Sequence, residues 1–159
     1  MSENLIVLGA FEALAGELAC KHASNAGITQ ILELFDRMRN ASLETDPLNF
    51  FSWDMEFHQS IVRAARNAPL MEFHRVYNAR LWRARFISSK QRTSQDTMLG
   101  HHDLITEALQ KRNGSEARRQ LRRHLKTAVV NITAALSTKN QAVSKTSTDG
   151  LSKHNLSEG

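Results

Sequence analysis

Apolar residues recur along most of this chain three or four positions apart, which is the spacing of one face of an α-helix. Strand-like alternation is missing, and only two prolines and seven glycines are available to interrupt helices. Short polar breaks separate the periodic stretches, as in bundles of neighbouring helices. The pattern therefore predicts an all-α antiparallel bundle of about six helices.

Cap and turn residues predict where these helices begin and end. Asp46 followed by Pro47 is a start signal for the third helix, because aspartate caps a helix and proline suits its first turn. Gly27 is predicted to stop the first helix, and Ser115 to cap the sixth. The predicted helices span about residues 3–25, 29–41, 46–67, 69–89, 94–113 and 115–137.

The composition changes after Ser137. Residues 138–159 are rich in serine, threonine, lysine and asparagine, have few large apolar side chains and show no usable period. Such a segment cannot bury enough apolar surface to order itself, so we predict a disordered tail. Residues 1–137 then form one helical domain, which is long enough to close a core without disulfides.

The overall composition is that of an ordinary globular protein, with 41% hydrophobic and 23% charged residues. A single cysteine, Cys20, excludes an intramolecular disulfide framework and suits a reducing compartment. The chain shows neither an apolar run long enough for a bilayer nor a signal peptide. We therefore expect a cytoplasmic protein with no membrane partner.

The formal net charge of +5 is concentrated in residues 111–126, where seven basic residues face one acid, Glu116. A basic strip of this kind can attract nucleic acid, but it is more often a solvated helix face. It lacks interleaved aromatic residues and a recognition helix, so any attraction to DNA is expected to be non-specific.

The candidate chemistry lies on the third predicted helix, where Asp54 and His58 are four residues apart and share the face that Ile61 continues. His102 and His124 lie in phase with the apolar stripes of the fifth and sixth predicted helices. An acid and imidazoles on core-facing stripes need hydrogen-bonding partners or a metal. We therefore expect these four side chains to meet inside the bundle.

One carboxylate and three imidazoles suit a divalent transition metal, and zinc, nickel and manganese are all chemically plausible. Such a centre is positively charged and keeps open coordination positions, so it attracts small carboxylate-bearing molecules. Alternatively, the histidines are hydrogen-bonded core residues, and Asp54 simply orients His58 within one helix. His101 is shifted one position from His102 and is the weaker candidate.

Three segments carry a pattern that resembles a known family. The first reads Asp54-x-x-Phe57-His58-x-x-Ile61-x-x-Ala64-Ala65-x-Asn67-x-x-Leu70. The second reads His102-x-x-Ile105-x-x-Ala108-Leu109 and continues as Ala117-x-x-x-Leu121-x-x-His124-Leu125; the third is Phe11-Glu12-x-x-Ala15-x-x-Leu18-Ala19. Together they resemble the C-terminal FCD domain of GntR-type transcription regulators of the FadR subfamily, over roughly residues 5–136.

The resemblance implies an effector-binding domain of a homodimeric regulator that signals to a winged helix-turn-helix. Metal-binding members of the family hold a divalent ion through one aspartate and three histidines, which match Asp54, His58, His102 and His124. Small organic acids bind beside that ion, and arginines near the pocket hold their carboxylates. The candidate arginines on the fourth predicted helix are Arg80, Arg83 and Arg85.

The chain departs from the family pattern in two places. The residues before Phe11 are too few for a winged helix-turn-helix, so we expect DNA to be reached only through a domain absent from this sequence, which is a fragment, a truncated reading frame or a free-standing sensor. The family's arginine before the opening Leu-Glu pair is also absent, with Leu8, Gly9 and Ala10 there instead. We expect a sensor rather than an enzyme. The alternative is a metal-dependent hydrolase or oxygenase on the same four residues, but no inward Glu, Lys or Tyr is evident as a general acid or base.

Overall fold

A computed structural model describes residues 2–41, 45–90 and 92–152, with side chains omitted for residues 2, 92–95 and 135–152. Six α-helices and no β-strand occur in these ranges, which confirms the predicted all-α bundle. The helices are α1 (Ser2–His22), α2 (Asn25–Arg39), α3 (Pro47–Ala64), α4 (Ala68–Ser89), α5 (Arg92–Gln110) and α6 (Gly114–Ser152).

The start of α3 follows the sequence prediction, and the start of α2 does not. The Asp46 side chain accepts a hydrogen bond from the Asn49 backbone N–H at 3.2 Å, with Pro47 in the first turn. At α2, the Ser24 hydroxyl accepts from the Gly27 N–H at 3.1 Å, so Gly27 lies in the first turn of a new helix. The prediction that Gly27 stops the first helix was therefore wrong. Helix α1 ends earlier, at His22, and Ser24 caps the start of α2.

Asparagine side chains cap both α4 and α6. Asn67 accepts from the Leu70 N–H at 3.0 Å, and Asn113 accepts from the Glu116 N–H at 3.1 Å. The predicted cap of α6, Ser115, instead bonds the Asn113 side chain at 2.9 Å. Asn113 is the cap because it directly precedes the first residue of α6, Gly114. From there its side chain reaches the N–H of the third helical residue, Glu116.

Helix α1 packs against α3, α4, α5 and α6. Its contact with α6 is close because glycines face that helix. A Cβ atom on Gly16 would overlap the Cδ1 atom of Leu121, and a Cβ atom on Gly9 would lie 3.1 Å from the Cβ atom of Leu125. The small residues of α1 therefore bring its backbone against the two leucines that precede and follow His124 on α6.

Helix α6 continues past the boundary predicted at Ser137 and ends at Ser152. Residues 153–159, and the side chains from 135 onwards, lie outside the described part of the chain. The predicted disorder of residues 138–159 therefore stays a prediction.

Candidate metal centre and effector cavity

Three histidines from three helices meet in the core: His58 of α3, His102 of α5 and His124 of α6. One ring nitrogen from each lies within 4.8 Å of those of the other two. The side chains are buried, and the ring centroids are 4.7 to 5.2 Å apart. The structure thus brings together the three imidazoles that helical phase placed on core-facing stripes.

Asp54 lies next to this cluster. Its Oδ1 atom is 3.5 Å from the Nε2 atom of His58 and 3.4 Å from the Nε2 atom of His102. Both distances are longer than a normal hydrogen bond to a carboxylate. Within the described residues, none of these three buried atoms has a well-formed hydrogen bond.

Such distances fit a set of donors around a common ion. Ligands that each lie about 2.1 Å from one cation are separated from one another by roughly 3 to 3.4 Å. A buried polar atom without a partner is costly, and a cation between the donors would satisfy several of them at once. The donor set, one oxygen and three nitrogens, is therefore chemically suited to a divalent transition metal.

The electrostatics of His102 and His124 favour the neutral, metal-binding form of imidazole. Burial lowers the pKa of His102 to about 3, against a smaller opposing effect from Asp54. Burial, together with the neighbouring His102 and His58, also holds the pKa of His124 well below its ordinary value. Both rings therefore keep a free lone pair at neutral pH.

The sequence analysis missed a buried glutamate at this site. Glu12 of α1 is 1% exposed, and its Oε2 atom lies 2.7 Å from the Nδ1 atom of His58. Its Oε1 atom lies 3.1 Å from the Nε2 atom of His74 and 3.5 Å from an Nη1 atom of Arg85. Burial alone would raise the pKa of Glu12, but these three partners hold it well below its ordinary value.

A signal for Glu12 is present in the sequence. It follows Leu5 by seven positions and Leu8 by four, and both leucines are buried on the same face of α1. Glu12 is therefore an inward glutamate that the search for a general acid or base overlooked. Glu12 contacts a histidine, however, and does not line the neighbouring cavity.

Glu12 also changes the charge of His58. Burial works against the charged imidazole, but the carboxylates of Glu12 and Asp54 outweigh it and raise the pKa of His58 to about 9. The pKa of Asp54 is lowered in turn: His58 and His102 outweigh the raising effect of burial. His58 is therefore an imidazolium at neutral pH, with a proton on each ring nitrogen, and would have to lose one of them to hold a cation.

A small cavity of about 50 Å³ lies beside the cluster. Asp54 and His124 form part of its wall, which gives the donor set an accessible side. His101 also lines it and is buried, with its ring centroid 5.8 Å from that of His124. His101 thus faces the cavity but is not one of the three clustered histidines.

The structure separates the three candidate arginines. Arg85 is 7% exposed and lines the cavity, and its Nη1 atom donates to Asn78 Oδ1 at 2.8 Å. Arg80 and Arg83 are exposed on α4 and do not line this cavity. Only Arg85 of the three therefore lies where it can reach a molecule bound next to the cluster.

The basic strip of residues 111–126 lies partly in local ion pairs. Arg118 contacts Glu17 at 2.6 Å, and Arg119 contacts Glu116 at 2.6 Å. Arg112 donates to the backbone oxygen of Ala23 at 2.6 Å, just beyond the end of α1. These contacts give several of the basic residues a structural role and leave weak attraction to nucleic acid untested.

None of the helices in the described ranges is both long and apolar enough to span a bilayer. A search among curated proteins found no match. The sequence model of the FCD domain matches residues 5–127, a range that includes Glu12, Asp54 and the three clustered histidines. Because that match covers most of its length, the chain belongs to the FCD-domain family, the C-terminal effector-binding domains of GntR-family regulators.

Proposed function

We propose that this effector-binding domain uses a divalent transition metal, held by Asp54, His58, His102 and His124, to bind a small organic acid. The observation that carries the proposal is the convergence of three buried histidines, His58, His102 and His124, from three helices. Asp54 Oδ1 lies 3.4 to 3.5 Å from two of these rings. The family supplies the general role in effector binding. The metal and the class of effector are our inference.

The alternative of a purely hydrogen-bonded core fits the distances less well. A hydrogen-bonded intrahelical pair would bring Asp54 and His58 within about 3 Å, whereas Asp54 Oδ1 and His58 Nε2 are 3.5 Å apart. Each buried polar atom left without a partner costs about 1–3 kcal/mol. A cation between the donors removes that cost for Asp54, His58 and His102 together.

The charge of the site favours an anionic effector. A divalent cation, one carboxylate and three neutral imidazoles carry a net charge of about +1. Arg85 adds a positive charge at the wall of the cavity, and the buried Glu12 carboxylate that it contacts offsets that charge, so the net charge of the site stays at about +1. A guanidinium can hold a carboxylate through two parallel hydrogen bonds, so an organic acid that also meets the metal is the fitting ligand class.

The donor set does not select one metal. Three imidazoles and a carboxylate suit zinc, nickel and manganese, which differ mainly in preferred geometry and coordination number.

The family match gives no support to the hydrolase or oxygenase alternative. GntR-family regulators bind small-molecule effectors and DNA, and we place this chain on the effector side of such a regulator. The homodimer stays a prediction, which the molar mass in solution tests.

The test is metal analysis followed by calorimetry. The purified chain, loaded with Zn²⁺, Ni²⁺ or Mn²⁺ and dialysed, should retain about one ion per chain with at least one of the three. Titration of that form with a panel of mono-, di- and tricarboxylates should give saturable heat that the chelator-treated form does not give. Negligible retained metal would overturn the metal site, and metal without any carboxylate binding would overturn the effector class.

A further inference from the structure

We propose that Glu12 is the positioning residue of the site: its carboxylate holds the Nδ1–H group of His58 and thereby presents Nε2 to the cation. The inference rests on the proposed metal site, but it concerns a side chain from a fourth helix, α1, that lies outside the predicted set of ligands. It follows from the contacts of one buried carboxylate.

The two nitrogens of the His58 ring face two different carboxylates. Nδ1 lies 2.7 Å from Glu12 Oε2, which is ion-pair distance although the N–H is not aligned on the oxygen as in a full hydrogen bond. Nε2 lies 3.5 Å from Asp54 Oδ1. A neutral imidazole has one N–H and one lone pair. In the neutral, ligating form of the ring, a proton kept at Nδ1 beside Glu12 leaves the lone pair on Nε2, on the side where His102 and His124 converge.

Glu12 is well fixed for this task. His74 and Arg85 both contact its other oxygen, Oε1, at 3.1 and 3.5 Å. Full burial of a carboxylate is costly unless it is paired, and Glu12 has three positively charged or N–H-bearing partners. Its direction is therefore set before any ion binds, and a carboxylate partner also makes the histidine a better metal ligand.

The same carboxylate contacts both parts of the proposed effector site. Through Oε2 it meets a metal-ligating ring, and through Oε1 it meets Arg85, which lines the cavity. Loss of the Glu12 charge should therefore weaken the cation site and displace the arginine. A residue that served only the stability of the helix bundle would not change the coordination spectrum of the metal.

The experiment compares Glu12→Gln with Glu17→Gln, the same change on a half-buried residue of the same helix whose carboxylate pairs with Arg118 away from the site. Zinc affinity is measured by competition with a chromophoric chelator, and coordination by the visible spectrum of the Co²⁺-loaded protein. We expect Glu12→Gln to bind Zn²⁺ roughly 10- to 100-fold more weakly and to show an altered Co²⁺ spectrum. Glu17→Gln should match the wild type in both measurements.

The outcomes separate the two proposals. If the wild type itself binds no metal, the proposed function fails. If the wild type binds metal, and Glu12→Gln binds it equally tightly with an unchanged Co²⁺ spectrum, the positioning role alone is overturned.

A measurement on the wild type covers the case in which Glu12→Gln does not fold. Long-range ¹H–¹⁵N spectra of the histidine rings in the Zn²⁺-loaded protein report which nitrogen carries the proton. For His58 we expect a protonated Nδ1 and a metal-bound Nε2. The reverse assignment would overturn the role of Glu12.

Discussion

The Nε2 atom of His102 lies 3.4 Å from the Oδ1 atom of Asp54, although these residues belong to α5 and α3 and the whole of α4 separates them in the chain. This separation is too long for a good charge-assisted hydrogen bond. It is the separation expected of two ligands of one ion.

The first prediction concerns the metal ligands. His58→Ala and His124→Ala should each weaken Zn²⁺ binding by at least about 100-fold, because even partners that only orient a ligand are typically worth 10- to 100-fold. The measurement is metal content after dialysis, together with the shift in thermal midpoint on adding Zn²⁺. His22→Ala, an exposed histidine at the end of α1, is the control and should keep its metal. Equal and negligible metal in all three variants and the wild type would show that the assignment is wrong.

The second prediction separates the arginines. Arg85→Gln should lower the affinity for a carboxylate by about 30-fold, since a hydrogen bond to a charged group is worth about 2 kcal/mol. Arg80→Gln and Arg83→Gln serve as controls and should bind as the wild type does, because both side chains are exposed away from the cavity. Calorimetry on the metal-loaded proteins measures this, and a larger loss in either control would contradict it.

The third prediction is the release of a proton when metal binds. With the pKa of His58 raised to about 9, this ring is protonated at pH 7 and must lose its proton to a cation. The pKa of His102 is lowered to about 3, so that ring is already neutral at pH 7 and releases no proton when it binds a cation. Titrations with Zn²⁺ at pH 7 in buffers of different ionisation enthalpy should show about one proton released. Binding heats that do not depend on the buffer would contradict the prediction.

The fourth prediction is the pH dependence of stability in the presence of a chelator. Because the folded-state pKa of His102 is about 3, the unfolded chain binds more protons below pH 6.5, and stability falls as the pH is lowered from there. His58 affects stability in the opposite direction. Its contribution to the free energy of unfolding is complete below pH 6.5 and is lost as the pH rises to about 9. Urea midpoints should therefore be highest near pH 6.5. A midpoint that rises or falls steadily between pH 5 and pH 9 would refute this.

The fifth prediction tests the contact between α1 and α6. Gly16→Ala should destabilise the fold by about 1–3 kcal/mol, because the added methyl group overlaps Leu121 and the leucine must move. Gly100→Ala on α5 is the matched control, since nothing lies within 4 Å of its added Cβ atom. It should stabilise the helix by up to about 1 kcal/mol. Urea denaturation of the three proteins decides the point, and similar effects of the two substitutions would contradict the close packing.

Local signals in the sequence predicted the helices and the inward direction of His58, His102 and His124. Periodicity is a property of one helix at a time, so it places a side chain on a face without naming its neighbours. The contact of Glu12 with His58 links residues far apart in the chain, and no local pattern contains it. Caps were predicted less well, because serine and asparagine near a turn can each satisfy the first N–H groups of a helix.

The choice among the arginines was within reach of the same reasoning. Arg85 follows the buried Leu81 by four positions and the buried Asn78 by seven, so it lies on the inner face of α4. Arg80 and Arg83 are out of that phase. What the sequence could not supply is the cavity itself, because its shape depends on how α3, α4, α5 and α6 pack together.

The glycines of α1 bear on how a bound ligand could be sensed. With Gly16 against Leu121, sliding of α1 along α6 would force backbone into a leucine side chain, so these two helices should act as a stationary frame. Glu12 and His124 belong to that frame, whereas Arg85 reaches it from α4. A ligand that contacts Arg85 therefore joins α4 to the α1–α6 pair at the cavity wall.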